Sequence, residues 1–187
     1  MGMQLSRTDW TADMLTELPD DGRRYEVIDG VLFVTPSPAD IHQYAVGELH
    51  ALLLPYAKRV GVNLLLAPSD VRFSKRRQVQ PDLLATPRMP DGRRPQRFSD
   101  VGLLLLAVEV LSPATLRSDR HDKRMLYQDE SVADYWIVDP SSRAFEHWTP
   151  EATEPHVRTI TLVWQPVLTH EPLVIDVVEY FRSVWGE

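Results

Sequence analysis

Val101-Gly102-Leu103-Leu104-Leu105-Leu106-Ala107-Val108-Glu109-Val110-Leu111-Ser112-Pro113 is the stretch that decides the fold. Its apolar run, Leu103 to Val108, is too short for a membrane-crossing helix and is β-branched toward its end, so it reads as a strand buried on both faces. Ser112-Pro113 stops it. A strand with no solvent face needs layers above and below it, and the flanking sequence supplies them. Asp40 to Lys58 has apolar residues at three- and four-residue steps (Ile41, Ala45, Leu49, Leu52, Leu53), the mark of an amphipathic helix. Ser118 to Glu130 reads as a second helix, and Val177 to Val184 as a third.

Strands fill the intervals. Arg24 to Ile28 and Val31 to Thr35 form a hairpin across Asp29-Gly30, a strong two-residue turn signal. Asn63 to Ala67, Asp70 to Phe73 and Pro81 to Thr86 are short strands bounded by turn residues. Tyr135 to Val138 is a second buried strand, followed by Phe145 to Trp148, Thr159 to Trp164 and Leu173 to Ile175. Residues 87–100 read as an exposed loop, and Thr8 to Glu17 as a short helix capped by Thr8 or Asp9. The order predicts an α/β fold: one domain over residues 1–187, a mixed sheet flanked by helices on both faces, an N-terminal β-hairpin, and a helical extension over 1–20.

Composition narrows the chemistry. There is no cysteine, which excludes disulfides, thiolate zinc sites and cysteine nucleophiles. No apolar run is long enough to span a membrane, and Met1 to Trp10 lacks the basic head and apolar run of a secretory signal, so a cytoplasmic protein is expected. The net charge of −7 is unevenly spread: residues 1–71 carry −5, 72–124 carry +6 and 125–187 carry −8. The basic middle third could form a groove for a phosphate backbone. Equally, Arg76, Arg77, Arg93 and Arg94 could be loop charges balanced by acidic neighbours.

Two carboxylates stand out. Asp82 follows Pro81 at the head of a short strand, and Glu109 closes the buried one. A buried carboxylate demands compensation from a cation, a basic side chain or solvent at the sheet's end. Hard oxygen ligands of this kind suit Mg²⁺. Asp119, Lys123 and Tyr127 fall at i, i+4 and i+8 and share a helix face. Lys123 could reach Glu109 and stabilise charge on a phosphate, or form a surface salt bridge with Asp119. Glu26 interrupts the first strand of the hairpin, as an extra acidic ligand or as a polar-face residue. His42, with no partner at ligand spacing, is expected not to bind metal.

These segments together resemble the Uma-two family of restriction-type endonucleases, within the PD-(D/E)XK nuclease superfamily. The likeness covers about residues 15 to 182. It is carried by Arg24-Tyr25-Glu26-Val27-Ile28-Asp29-Gly30, His42, Gln80-Pro81-Asp82-Leu83-Leu84, Val108-Glu109-Val110-Leu111-Ser112-Pro113, Asp119, Lys123, Tyr127 and Asp134-Tyr135-Trp136-Ile137-Val138-Asp139-Pro140. The resemblance implies an endonuclease-like core and a metal-dependent hydrolase acting on DNA phosphodiesters. Asp82 and Glu109 would hold Mg²⁺ or Mn²⁺, Lys123 would orient water or stabilise charge, Glu26 would be an accessory acid, and Tyr127 would position Lys123 or a phosphate. The superfamily's motif lysine would stand two residues after Glu109, where this chain has Leu111, so Lys123 would be a migrated replacement. The resemblance also makes a homodimer plausible, with Trp136, Trp148, Trp164 and Trp185 as core or interface aromatics. Two other readings stay open: a non-cutting member that binds nucleic acid or a protein partner, and a metal phosphoesterase acting on RNA.

Overall fold

The computed structural model describes residues 8–187. The part of the expected N-terminal extension that falls on residues 1–7 lies outside them.

The hairpin forms as expected: β1 (Arg24–Ile28) pairs antiparallel with β2 (Val31–Thr35), Ile28 opposite Val31. Asp29 and Gly30 both sit at positive φ, 51° and 84°, the geometry whose twist suits a tight hairpin. Gly30 is fixed by crowding as well, since a Cβ there would lie 2.5 Å from the Thr8 carbonyl and 2.6 Å from the Arg76 guanidinium. The 21-residue helix α1 (Asp40–Val60) ends on Gly61, which takes the left-handed conformation at φ 76°. Then come β3 (Val62–Leu66), β4 (Val71–Ser74), β5 (Arg77–Val79) and β6 (Leu83–Pro87). β7 (Leu106–Val110) is buried along its whole length, as its sequence demands. Leu103 falls outside it and is exposed, because the chain turns at Gly102, whose φ is 60°. The helix α2 spans 116–129 in three parts: an α turn Leu116–Ser118, a π-helical turn Asp119–Lys123 and an α segment Arg124–Asp129. The rest is β8 (Asp134–Asp139), β9 (Ala144–Trp148), β10 (His156–Arg158), β11 (Thr161–Trp164), β12 (Leu173–Asp176) and α3 (Val177–Trp185).

Three sheets result among the described residues. The central one runs β10-β9-β8-β7-β6-β3, antiparallel except for the parallel pair β7–β8, which α2 connects. Alternation along β7 sorts its two faces. Leu106, Val108 and Val110 pack under α1 and α3 with Leu49, Leu53, Trp136, Phe145 and Phe181. Ala107 and Leu111 face the other side, with Leu126 and Tyr127 of α2 and with Ile28, Val71 and Val79. Those last three belong to a four-stranded antiparallel sheet, β2-β1-β5-β4. Helices therefore cover both faces of a mixed sheet, and the hairpin belongs to a separate sheet laid over one of them. The third sheet is the ribbon β11-β12.

Two departures from the sequence reading have clear causes. The first helix is a 3-10 helix over Ala12–Glu17 that begins later than Thr8, and its N-cap residue is Thr11, which makes no side-chain cap. Backbone bonds from Trp10 N to the Gly30 carbonyl and from Ala12 N to the Lys75 carbonyl tie its leading residues to the turns that follow β1 and β4 instead. The short strand β5 has no apolar alternation to show it in the sequence, and its arginine is an ion hub. Arg77 bonds Asp29 at the hairpin turn, 2.6 Å away, and Asp129 and Glu130 at the end of α2, at 3.0 and 2.8 Å.

Core packing predicts a sharp contrast. Leu49→Ala, at a fully buried α1 position, should lower unfolding free energy by about 3 kcal/mol. Leu168→Ala, at an exposed position, should change it by less than about 0.5 kcal/mol. Urea denaturation of the two variants compares them directly.

Candidate active site

The end of β7 and the head of β6 lie side by side, Leu83 opposite Val108. Asp82, just before β6, therefore stands beside Glu109. The Val110 N–H donates to Asp82 Oδ2 at 2.8 Å, fastening the carboxylate to the neighbouring strand. Both residues line one cleft of about 720 Å³, walled by Thr35 to Ala39 and by Ser112 to Thr115. Glu26 reaches the same region from β1, and α2 brings Asp119 and Lys123. All five charged side chains belong to residues only 1–3 % exposed.

The π turn is what aims the helix residues. Asp-Arg-His-Asp-Lys contains no Gly or Pro that would break a helix; its first and last residues are the two buried ones. A wider turn re-aims side chains locally. Lys123 Nζ lies 3.0 Å from Glu26 Oε2, 3.0 Å from Glu109 Oε1 and 3.7 Å from Asp119 Oδ1. The reading of Asp119 and Lys123 as a surface salt bridge therefore fails: the pair is internal. Glu26 is also held by the Gln80 N–H at 2.8 Å, and it does not line the cleft. Tyr127 donates to Glu109 Oε1 at 3.1 Å. It is fully buried, with its hydroxyl on Glu109.

Environment separates the two cleft carboxylates. Burial disfavours the charge of Asp82, but His42, Arg24 and the Val110 N–H outweigh it and hold the carboxyl well below the usual range. His42 Nε2 is 2.9 Å from Oδ2, and Arg24 Nη2 is 2.9 Å from Oδ1. Glu109 goes the other way. Burial raises its pKa well above the ordinary value; Lys123 opposes the rise, and Asp119, Asp82 and Glu26 reinforce it. Burial likewise pushes Asp119 up to about 6. Lys123 stays an ammonium despite burial, because Glu109, Glu26 and Asp119 surround it. The cluster thus sets four carboxylates against the two permanent cations Arg24 and Lys123.

This imbalance bears on what the site can hold. Among the described residues no three His, Asp or Glu side chains form a ready metal cage. Mg²⁺, however, usually keeps several waters and takes only one or two carboxylates from the protein. Asp82 and Glu109 are such a pair, and Asp119 Oδ1 is buried without a hydrogen-bond donor. The donor chemistry fits a hard divalent cation.

The sequence reading gives Arg24 no role of its own and expects His42 only to be a non-ligand, yet both touch Asp82. For Arg24 a signal existed: it precedes Glu26 by two residues on one strand, which puts both on one face. His42 is 40 residues from Asp82, and no local spacing reveals the pair. The basic residues of the middle third do not line the cleft. Arg76 bonds the Asp29 and Thr8 carbonyls, Arg77 its three carboxylates, and Arg93 bonds Asp91. Arg23 and Arg24 are the basic residues, histidine aside, that line the cleft. Nor do the tryptophans mark an interface as a group. Trp136, Trp148 and Trp164 are buried within the chain, and Trp185 is exposed.

Comparison with known proteins gives the chain a family and a related fold. The model of the Uma2 family, described as "Putative restriction endonuclease", matches residues 12–177. Among solved structures, the chain is similar to "a putative nuclease belonging to DUF820" from Anabaena variabilis, with a TM-score of 0.76 at 18 % identity, over 93 % of this chain and 98 % of that one. At that identity the likeness shows a shared fold. No curated protein matches.

The raised Asp119 carboxyl yields a pH prediction. A folded-state value of about 6 against an ordinary 3.8 means that its protonation favours the folded, metal-free protein. That contribution is complete below the ordinary value and is lost as pH rises through the folded one. Between about pH 4 and pH 7, in chelator, the wild-type melting temperature should therefore fall relative to that of Asp119→Asn. Scanning calorimetry in stepped buffers measures the difference, and parallel curves would refute the assignment.

Proposed function

The chain belongs to the Uma2 family, and from that membership and the cleft geometry we propose that it is a metal-dependent endonuclease hydrolysing DNA phosphodiester bonds. The observation that carries the reading is the placing of Asp82 and Glu109 on adjacent strands, in one cleft, with Lys123 directly behind Glu109. In this proposal Asp82 and Glu109 hold Mg²⁺ or Mn²⁺. The bound cation supplies a water of lowered pKa and neutralises charge on the phosphate.

The chain's own residues do the rest. His42 and the Val110 N–H fix the plane of Asp82, so its ligand oxygen is presented in one orientation. Lys123 and Tyr127 hold Glu109 at Oε1. The ammonium opposes the rise that burial imposes on the Glu109 pKa, and keeps a positive charge close behind the reacting phosphate. Glu26 is the accessory acid: it balances Lys123 and ties the ammonium to β1. We place the activity in the cytoplasm, and in a homodimer whose two clefts act on the two strands of a duplex. No helix among the described residues is long and apolar enough to cross a membrane.

Nicking of supercoiled plasmid with Mg²⁺ or Mn²⁺, run beside calorimetric Mn²⁺ titration, tests the assignment. Asp82→Asn and Glu109→Gln should lose both metal uptake and cleavage. Lys123→Met should keep metal uptake and lose cleavage by about 100-fold. Metal uptake without cleavage of DNA by the wild type would favour a binding module, and cleavage confined to RNA would favour the phosphoesterase. Light scattering at micromolar concentration should give twice the chain mass; a monomer would remove the dimer from the proposal.

A further inference from the structure

Asp82 is held on two sides by unlike partners. Its Oδ2 is fixed by a histidine and a backbone N–H, at 2.9 and 2.8 Å. Both belong to the scaffold: His42 to α1, and Val110 to the buried strand β7. Its Oδ1 meets Arg24 Nη2 at 2.9 Å. Arg24 is different in kind. It is the first residue of β1, its side chain is 20 % exposed, and it lines the cleft. Asp82 is its one ion-pair partner among the described residues. A long, flexible cation at a strand's end can leave without disturbing the backbone. The histidine and the N–H would keep the carboxylate in place after it left.

The charge inventory says what could replace it. Four acidic side chains share two fixed cations here, and a divalent ion would bring to Oδ1 twice the charge of the guanidinium it displaces. The released arginine would then stand in a cleft where its neighbour Arg23 is the other lining arginine and no lysine contributes. A guanidinium free in such a place matches the planar, two-oxygen edge of a phosphodiester.

We propose that Arg24 is an exchangeable counter-ion: it occupies Asp82 Oδ1 until a divalent cation takes that oxygen, and its freed guanidinium then binds a phosphate of the substrate strand. This rests on the metal-dependent reading above. It goes further, in giving the metal-free protein an internal placeholder and the substrate a named anchor.

Mn²⁺ titration calorimetry on the full chain tests the first half. Arg24→Gln should bind Mn²⁺ about tenfold more tightly than the wild type, because the competitor is gone. Arg23→Gln, which removes a neighbouring charge paired with Asp21 at 3.4 Å, should bind as the wild type does. Metal-free Arg24→Gln should melt lower than the wild type and gain a larger upward shift from Mn²⁺. If it does not fold, Arg24→Lys serves, its point charge pairing less well with Asp82 and so yielding to Mn²⁺ more readily. The second half is read with a fluorescein-labelled DNA oligonucleotide in Mn²⁺: Arg24→Gln should bind it about tenfold more weakly. Unchanged or weaker Mn²⁺ affinity in a folded Arg24 variant overturns the exchange, and unchanged oligonucleotide affinity overturns the phosphate role. A wild type that takes up no Mn²⁺ overturns the metal reading itself, and this inference with it.

Discussion

A lysine ammonium enclosed by Glu26, Glu109 and Asp119 is the constraint around which the rest of this molecule is arranged. Moving such a group out of water costs several kcal/mol unless its donors are met. Here the partners come from three elements: β1 of the smaller sheet, β7 of the central sheet, and the π turn of α2. The ammonium can be satisfied only when all three have docked. The cluster is thus as much a condition on tertiary assembly as a chemical feature. Apolar packing on the same face, with Leu126, Tyr127, Ile28 and Val79, supplies the favourable burial that offsets the desolvation.

The same enclosure sorts the acids. Asp82 has partners on both oxygens and stays ionised, whereas Glu109 shares one ammonium with two other carboxylates and resists ionisation. Two carboxylates from neighbouring strands thereby acquire opposite tendencies through surroundings alone. Such divergence is a common property of sites that handle protons and cations. The tyrosines behind them follow suit: burial and the nearby Glu109 push the Tyr127 phenol well above its usual range, so it serves as a hydrogen-bond donor and not as an acid.

Much of this was legible in the residues. The apolar run into Glu109 showed a buried strand ending in an unpaid charge, and Asp29-Gly30 showed the hairpin. The steps from Asp119 to Lys123 and Tyr127 showed a shared helix face. The depth of that face was not legible: an i, i+4 ion pair looks the same in sequence whether water or a sheet lies against it. Nor could spacing show that Tyr127 would choose Glu109, that His42 would meet Asp82 from 40 residues away, or that Arg72, Arg77, Arg93 and Arg120 of the middle third would spend their charge on acids. These outcomes depend on which surfaces meet, a long-range property that periodicity does not carry. β5 escaped notice for a related reason, since three residues led by an arginine have no apolar signature.

The arginine of that short strand has a mechanical consequence. Strand β1 and helix α2 touch at Glu26 and Lys123, and Arg77 ties them a second time, joining Asp29 beyond the end of β1 to Asp129 and Glu130 at the end of α2. Two members fastened at two separated points cannot pivot about either one; together they form a braced frame. Acids mounted on such a frame keep their spacing when the walls around them shift. Those walls are the proline-bearing loops, Pro36 and Pro38 on one side and Pro113 on the other. Substitution there can reshape the cleft while the span between the acids stays constant, so substrate preference and chemical competence are free to diverge independently in this architecture.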